Sequence, residues 1–386
     1  MTGNRSGEMS VSAARAPGEF EYRYLEYGQL GALETTHPIL FRVGCAEDHY
    51  PSNLVALRGC PDVYDSFPCY FYLHSGDRIV ASLAALPDVL TAEGQQVPWA
   101  WAASFFTSPD CRGLGLGAKL WAAATRTLHE RGITIGGAFA NPVTTHICRR
   151  MGFTIMDRVP RLLLLKSAGP FLSQHVPSRL LVSVLDASYK AVATGIRALT
   201  LTKKWDSRTK PLSLAKSDDV ARLETEAAPC YDRPLHFNDR WDKFAWKVTH
   251  CRDSQVHLIS HRSSDEVLVR FVVKTRNVTG TFAEKYTGFR LMTLMDYVLF
   301  GEAETSYRAL ADVIVRQFWE SDAEVLETVS ASHQLNARLR RKFMIPGGQG
   351  VAFWFKAAPG ISLPPSAGVI HNWHFTHFCT DAFSFG

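Results

Sequence analysis

The sequence predicts an α/β protein built from two tandem units, each a mixed β-sheet flanked by helices, with the second a degenerate copy of the first. Three observations carry this. A strand-like run over residues 99–107 feeds a glycine-rich turn, Arg112-Gly113-Leu114-Gly115-Leu116-Gly117, which opens a helix over 118–131. Strand and helix signals follow one another in the same order on both sides of a middle helical stretch, the pattern of sheets covered by helices. At 386 residues, 46% of them hydrophobic, the chain is also longer than one ordinary domain and can bury two cores.

Residues 1–17 are small and polar with no apolar run, which reads as a disordered leader and not a secretory signal. The first domain, 18–168, opens with a strand at 20–27 and a helical stretch at 46–65. Strands at 69–75 and 78–86 follow, joined through Ser75-Gly76-Asp77, a hairpin-turning combination. Beyond the turn and its helix, a short strand at 133–140, a helix past Asn141 and an apolar strand-like run at 154–166 close the domain. Residues 169–212 form a helical linker whose Leu180, Leu181, Val184, Leu185, Tyr189, Val192 and Ile196 suit a helix lying against a domain face.

The second domain, 213–358, repeats the series. A helix is expected at 217–228 and a Trp/Lys-containing stretch at 239–249. A hairpin at 256–274 turns at Ser263-Ser264-Asp265, and strand, helix, strand and helix follow at 289–300, 306–320, 324–330 and 333–343. Residues 331–345 line up with 140–155, Arg340-Arg341 falling near Arg149-Arg150, which marks a weak internal repeat. Residues 359–386 form a tail.

The turn carries the chemistry. Glycine lets a backbone approach a phosphate closely and take positive φ without Cβ strain. The first N–H groups of a helix have no intrahelical partner and carry the positive end of its dipole, so they converge on an anion. Arg112 adds a charged donor fork. Other glycine loops fit less well: no Gly-Lys-Ser/Thr follows, and Gly-Leu-Gly-Leu-Gly-Ala misses the dinucleotide spacing. A glycine turn with no ligand is the bland alternative.

From Thr107 through Pro109 and Arg112 to Gly117 the chain resembles the GNAT superfamily of acyl-CoA-dependent N-acyltransferases, whose pyrophosphate motif runs hydrophobic-x-P-x-x-(Q/R)-x-x-G-x-(G/A). Thr107 stands at the usually hydrophobic position. A second element matches as well: Asn141 at the end of the next strand, followed eleven residues later by Gly152-Phe153. The resemblance implies that acetyl-CoA serves as cosubstrate, with Phe105, Phe106 and Thr107 meeting the pantetheine arm and Arg112, Gly113, Leu114, Gly115, Leu116 and Gly117 cradling the pyrophosphate. It further implies that Asn141 faces the pantetheine and that backbone N–H groups of Phe106 and Thr107 serve as oxyanion donors. Transfer is then direct, to a primary amine of a small molecule such as an amino sugar or amino acid.

Two departures matter. Where many members place a Tyr as the acid for the leaving thiolate, this chain has Cys148, a candidate general acid or a packed small hydrophobe. Members acting on protein amino termini carry a Glu where this chain has Gly136, which disfavours such acceptors and leaves the general base unassigned. A non-catalytic acyl-CoA sensor or scaffold is the alternative these departures raise. In the second unit the counterpart turn is Phe300-Gly301-Glu302-Ala303-Glu304, whose carboxylates repel phosphate, so one cofactor site is expected.

The resemblance implies an acceptor site near the first two helices, within residues 47–65, whose Glu47, Asp48, His49, Asp62, Tyr64 and Asp65 read mostly as ordinary solvated side chains. His146 reads as a surface or capping histidine. The His371-to-Asp381 segment has no finger spacing, so no metal is expected and the tail reads as an aromatic strand packed on the domains. A net charge of +5, from 42 basic and 37 acidic residues, is too mild to indicate nucleic acid. Eight cysteines without C-x-x-C pairs point to reduced thiols in the cytoplasm. No stretch is apolar and long enough to span a bilayer. Oligomeric state is left open.

Overall fold

A computed structural model describes residues 20–30, 57, 59–76, 78–138, 142–156, 158–173, 175–202, 207–212, 233–237, 240–264, 266–278 and 287–379. The expected leader, most of the helical stretch at 46–65, Asn141, the helix at 217–228 and the last residues of the tail lie outside them.

Two mixed sheets with the same connectivity form the framework. In the first, β1 (Glu21–Glu26), β2 (Pro68–Ser75), β3 (Arg78–Ala92) and β4 (Gln95–Thr107) run antiparallel in succession, and β5 (Thr134–Ala138) joins parallel to β4. The helix α1 (Leu116–Glu130) connects β4 to β5, and α2 (Pro142–Arg150) leads from β5 to the two-residue β6 (Thr154–Ile155).

Past the linker, α3 (Arg179–Leu201), the order recurs. Strands β8 (Ser207–Leu212), β10 (Ser254–His261), β11 (Val267–Val278) and β12 (Phe289–Leu299) are antiparallel neighbours, and β13 (Val325–Val329) lies parallel to β12. Here α5 (Ala303–Glu320) connects β12 to β13, as α1 does in the first unit, and α6 (His333–Arg340) precedes β14 (Ile345–Pro346), as α2 precedes β6. Between β8 and β10 the chain adds β9 (Leu235–Phe237), paired to β3, and α4 (Trp241–His250).

One expectation is corrected. The run at 154–166 does not close the first sheet, because its main strand β7 (Arg161–Leu165) pairs antiparallel with β13 and β14 of the second. The place it leaves, between β5 and β6, is taken by β15 (Phe353–Lys356), from beyond the second unit. The units therefore exchange strands, and the boundaries 18–168 and 213–358 cut across both sheets. The four-leucine stretch of β7 needs cover on both faces, which a central position supplies and an edge does not.

The exchange welds the cores together. One core runs from the first sheet through Phe353, Trp354 and Phe355 into Trp373 and Phe375 of the tail, and onto Val256, Val272 and Met295 of the second sheet. A second core lies on the opposite face of that sheet, beneath Leu310, Ile314 and Phe318 of α5. The tail packs as expected: β16 (Trp373–His374) pairs with β9, and Trp373 stacks over Phe237. The linker helix departs in part, since Tyr189, Ala193 and Ile196 touch the second core while Leu180, Val184, Val192 and Leu199 face outward. No helix among the described residues is long and apolar enough to cross a membrane.

Candidate active site

Two interruptions of sheet regularity open a cleft at the end of β4. Parallel pairing between β4 and β5 stops at Trp101 and Gly136, so β4 continues from Ala102 to Thr107 with no strand on that edge among the described residues. Within this free length the register against β3 slips, Ser104 and Phe105 together opposing Leu83, and Ser104 takes φ +49. Such a bulge bends a strand and redirects its side chains and amides. An extended chain with amide groups can dock on the open edge as an added strand does.

Bulk covers both faces of β5 where its pairing with β4 ends. A Cβ at Gly136 would lie 2.1 Å from the Trp99 ring, and one at Gly137 would lie 2.2 Å from the Trp354 ring. Two buried indoles thus occupy the space above consecutive residues, which explains physically why the glutamate of some GNAT members has no counterpart at Gly136.

Next comes the turn. Ser108 N–H donates to the Val80 carbonyl at 2.9 Å, and one 3-10 turn, Pro109–Cys111, tucks Cys111 inward. Both terminal guanidinium nitrogens of Arg78, Nη1 and Nη2, grip the Asp110 carboxylate, at 2.7 and 2.8 Å, and Arg78 also reaches Ser108. The Arg78 hydrogen bonds, then that from Ser108, hold the Asp110 carboxyl well below the usual carboxylate range. A carboxylate that would repel phosphate is thereby paired off, a service of Arg78 that no sequence motif signals.

Gly113 and Gly115 take φ of +87 and +73 with nothing within 4 Å of where a Cβ would stand. Conformation, not crowding, is what demands glycine there. Gly115 caps α1, so the N–H groups of its first turn point out of the helix end. Leu116 is buried and pins the helix start, while Arg112, Gly113, Leu114 and Gly115 are open to solvent. The Arg112 Nε lies 3.4 Å from the Thr107 carbonyl, which lays its guanidinium along the end of β4.

Cleft and turn meet. A Cβ at Gly117 would lie 2.8 Å from the Phe105 ring and 3.6 Å from both Thr107 Oγ1 and Ile147 Cδ1. The end of β4, the start of α1 and the face of α2 therefore converge, and the residues Phe105, Thr107 and Arg112 through Gly117 form one continuous surface. Phe105 also packs against Trp121 at 5.8 Å, so its ring braces α1.

Other expected groups fall elsewhere. Cys148 is 0% exposed, and burial pushes its thiol up to about 12. It packs as a small hydrophobe, and its burial and raised pKa speak against the general-acid role. His146 sits exposed on α2, as a surface histidine does. Of the expected acceptor residues, Tyr64 and Asp65 are exposed, whereas Asp62 is locked in a knot that sequence reasoning missed. Its carboxylate pairs with Lys243 of α4, which is 1% exposed, and with Arg240 at 3.1 Å. Lys243 also pairs with Asp88 on β3, whose other oxygen accepts from Trp101 Nε1 at 3.0 Å. Burial pulls the Lys243 ammonium down, yet Asp88 and Asp62 together leave it raised. Glu47, Asp48 and His49 lie outside the described residues.

The second unit's counterpart differs in each respect. Gly301 keeps an ordinary φ, with its Cβ position 2.8 Å from Leu268. Glu302 caps α5 and accepts from Thr305 at 2.6 Å, and Glu304 pairs with Arg308 and Arg338. No group of three or more metal-ligating side chains comes together among the described residues.

A family model described as an acetyltransferase (GNAT) domain matches residues 64–156, the stretch that holds the split strands, the turn, α1 and α2. No curated protein matches the chain. Solved structures share the fold over nearly its whole length. The Saccharomyces cerevisiae N-myristoyltransferase with bound myristoyl-CoA is 12% identical, with 95% of this chain and 87% of that one covered and a TM-score of 0.56. A probable N-acyltransferase from Enterococcus faecalis (10% identical, 88% and 73% covered, TM-score 0.53) and a GCN5-related N-acetyltransferase from Anabaena variabilis (11%, 88% and 73%, 0.51) are similar too. The fold is that of the GNAT acyltransferases. Residues 64–156 match a GNAT domain, and the second unit repeats the architecture of the first.

Proposed function

We propose that this protein is an N-acyltransferase that uses acetyl-CoA and passes the acyl group directly to a primary amine of a small molecule such as an amino sugar or amino acid. The observation that carries the reading is the meeting of the open β4 edge with the left-handed glycine turn: a pantetheine arm has a strand to dock on and a diphosphate has a cup of N–H groups beside it. The resemblance implies the same placement for Asn141.

Direct transfer asks the protein to hold a neutral amine against the thioester carbonyl, to stabilise the oxyanion that forms as the C–N bond is made, and to let the thiolate leave as the C–S bond breaks. Successive N–H groups of a strand point to opposite edges, so one of Phe106 and Thr107 presents its N–H to the cleft as the oxyanion donor. Cys148 and Asp62 supply neither proton step, being enclosed and ion-paired respectively. The six described cysteines are all unbridged, which supports a reducing, cytoplasmic setting.

A thiol-release assay with acetyl-CoA and a panel of amines tests the reading: turnover on at least one small amine is expected, and the pair Gly115→Asp with Arg112→Ala is expected to abolish it. Unchanged rates in that pair overturn the assignment. The absence of an acid at Cys148 favours one second reading, an acyl-CoA sensor, which binds CoA tightly and turns over no amine.

A further inference from the structure

The linker helix α3 carries two apolar faces. The inner one is set against the protein, with Tyr189, Ala193 and Ile196 on the second core. The outer one stands in solvent: Leu180, Leu181, Val184, Leu185, Val192 and Leu199 are 79, 48, 55, 40, 62 and 69% exposed. Ala187, Ser188, Ala191, Gly195 and Ala198 fill the gaps between them and are exposed as well. No charge interrupts this outer face. Arg179, Asp186, Lys190 and Arg197 follow one another at spacings of seven and four, which gathers them on one flank of the helix.

A contiguous uncharged apolar strip of this kind marks an interaction surface. The 23-residue helix is about 34 Å long. Its six large aliphatic side chains, on average more than half exposed, present on the order of 600 Å² a copy, so two copies together reach about 1,200 Å², the lower bound of stable specific interfaces.

The distribution of bulk says what covers it. Leu181, Leu185, Ser188, Val192, Gly195 and Leu199 recur at alternating spacings of four and three, the pattern by which two helices keep one seam in contact. Turned end for end about residue 190, this seam sets Leu185 against Gly195, Ser188 against Val192 and Leu181 against Leu199 of a second copy. Each inner layer then matches a large side chain with a small one. Nothing lies within 4 Å of where a Cβ of Gly195 would stand, so the room for the opposing leucine is open. Paired parallel, Gly195 would meet Gly195 and Ser188 would meet Ser188, leaving voids in both layers. A lipid surface is matched less well, because the strip holds no aromatic residue and its C-terminal half presents Ala191, Gly195 and Ala198.

We infer that the outer face of α3 is a self-association surface, on which a second copy of this chain docks its own α3 antiparallel about a two-fold axis near residue 190. The β4 edge and the glycine turn contribute no residue to it, so the inference stands or falls independently of the proposed reaction.

Sedimentation equilibrium of the full chain tests it. A reversible monomer–dimer equilibrium in the micromolar range is expected, as for specific interfaces of the smaller kind. Val192→Asp is expected to abolish the dimer and leave the thermal midpoint of the monomer in place. Gly195→Leu makes the strip more apolar and puts a better helix former at an open position, yet it sets leucine against Leu185 and is expected to weaken the dimer about tenfold or more. Adding Leu185→Ala to that variant is expected to restore most of the affinity, a rescue that neither general stickiness nor lipid binding would give. A native chain that stays monomeric, a dimer that Val192→Asp leaves intact, association strengthened by Gly195→Leu, or a monomer that binds phospholipid vesicles through this face overturns the inference.

Discussion

The two units fold alike and end their equivalent strands differently. In the first, the chain leaves β4 through two left-handed glycines, neutralises Asp110 with Arg78 and leaves the helix end open to solvent. In the second, the chain leaves β12 through Gly301 in ordinary conformation and caps α5 with Glu302 beside Glu304. One helix terminus is left open to solvent, and the other carries Glu302 at its cap position and Glu304, paired with arginines, in its first turn. The sheet order is shared, so what separates the proposed cofactor site from its counterpart is six residues of turn, through backbone conformation and local charge.

The largest expected effect tests whether the units are separable. Lys243→Ala removes the cation shared by Asp62 and Asp88 and leaves them only Arg240 at 3.1 Å and Lys247 at 4.0 Å, and about 3–5 kcal/mol of stability is expected to go. Urea denaturation measures it, with Asp88→Asn in the same chain expected to recover part of the loss. A small change would mean that the knot does not join the units.

Next is the tail's hold on the second unit. Burial pulls the His377 imidazole down to about 4, with Glu327 opposing and Arg161, Arg276 and Lys274 adding to the fall. A base whose folded value lies below its unfolded one binds its proton first in the unfolded chain, so stability is lost as pH falls from about 6.5 to about 4. The loss should approach 3 kcal/mol at about 1.4 kcal/mol per pH unit. Asp296, pushed up by burial, acts in the opposite sense, so the comparison is with His377→Gln, which should flatten this part of the pH profile of the urea midpoint.

Smaller still are the glycines. Gly117→Ala sets a methyl against the Phe105 ring and should cost about 1–3 kcal/mol. Gly115→Ala meets no atom but keeps a left-handed φ, at about 1–2 kcal/mol. Gly301→Ala asks only that the end of Leu268 move aside and should cost least, under about 1 kcal/mol. Thermal melts rank the three, and an equal cost at Gly115 and Gly301 would erase the contrast between the turns.

What the sequence made legible was local. Gly113 and Gly115 announce positive φ, Pro109 and Arg112 fix the spacing, and strand and helix periods place β4, α1, β5 and α5 within a few residues. Pairing at long range was not legible. Four leucines in β7 say that both faces are buried, but not in which sheet, and Asp62 finds Lys243 across 181 positions. The bulge at Ser104 carries no glycine to mark it, and nothing near Asp110 in sequence points to Arg78, 32 positions away. Cys148 read more readily as packing than as an acid, but the acid stayed open because a motif position does not state its burial.

Calorimetric titration with CoA addresses the central claim, that the glycine turn after β4 is the anion cup of a single cofactor site. The account predicts one CoA per chain, affinity lost in Gly115→Asp with Arg112→Ala, and affinity unaltered in Glu302→Gln with Glu304→Gln. CoA bound as tightly by the first variant as by the native chain, or not bound by the native chain at all, would contradict it.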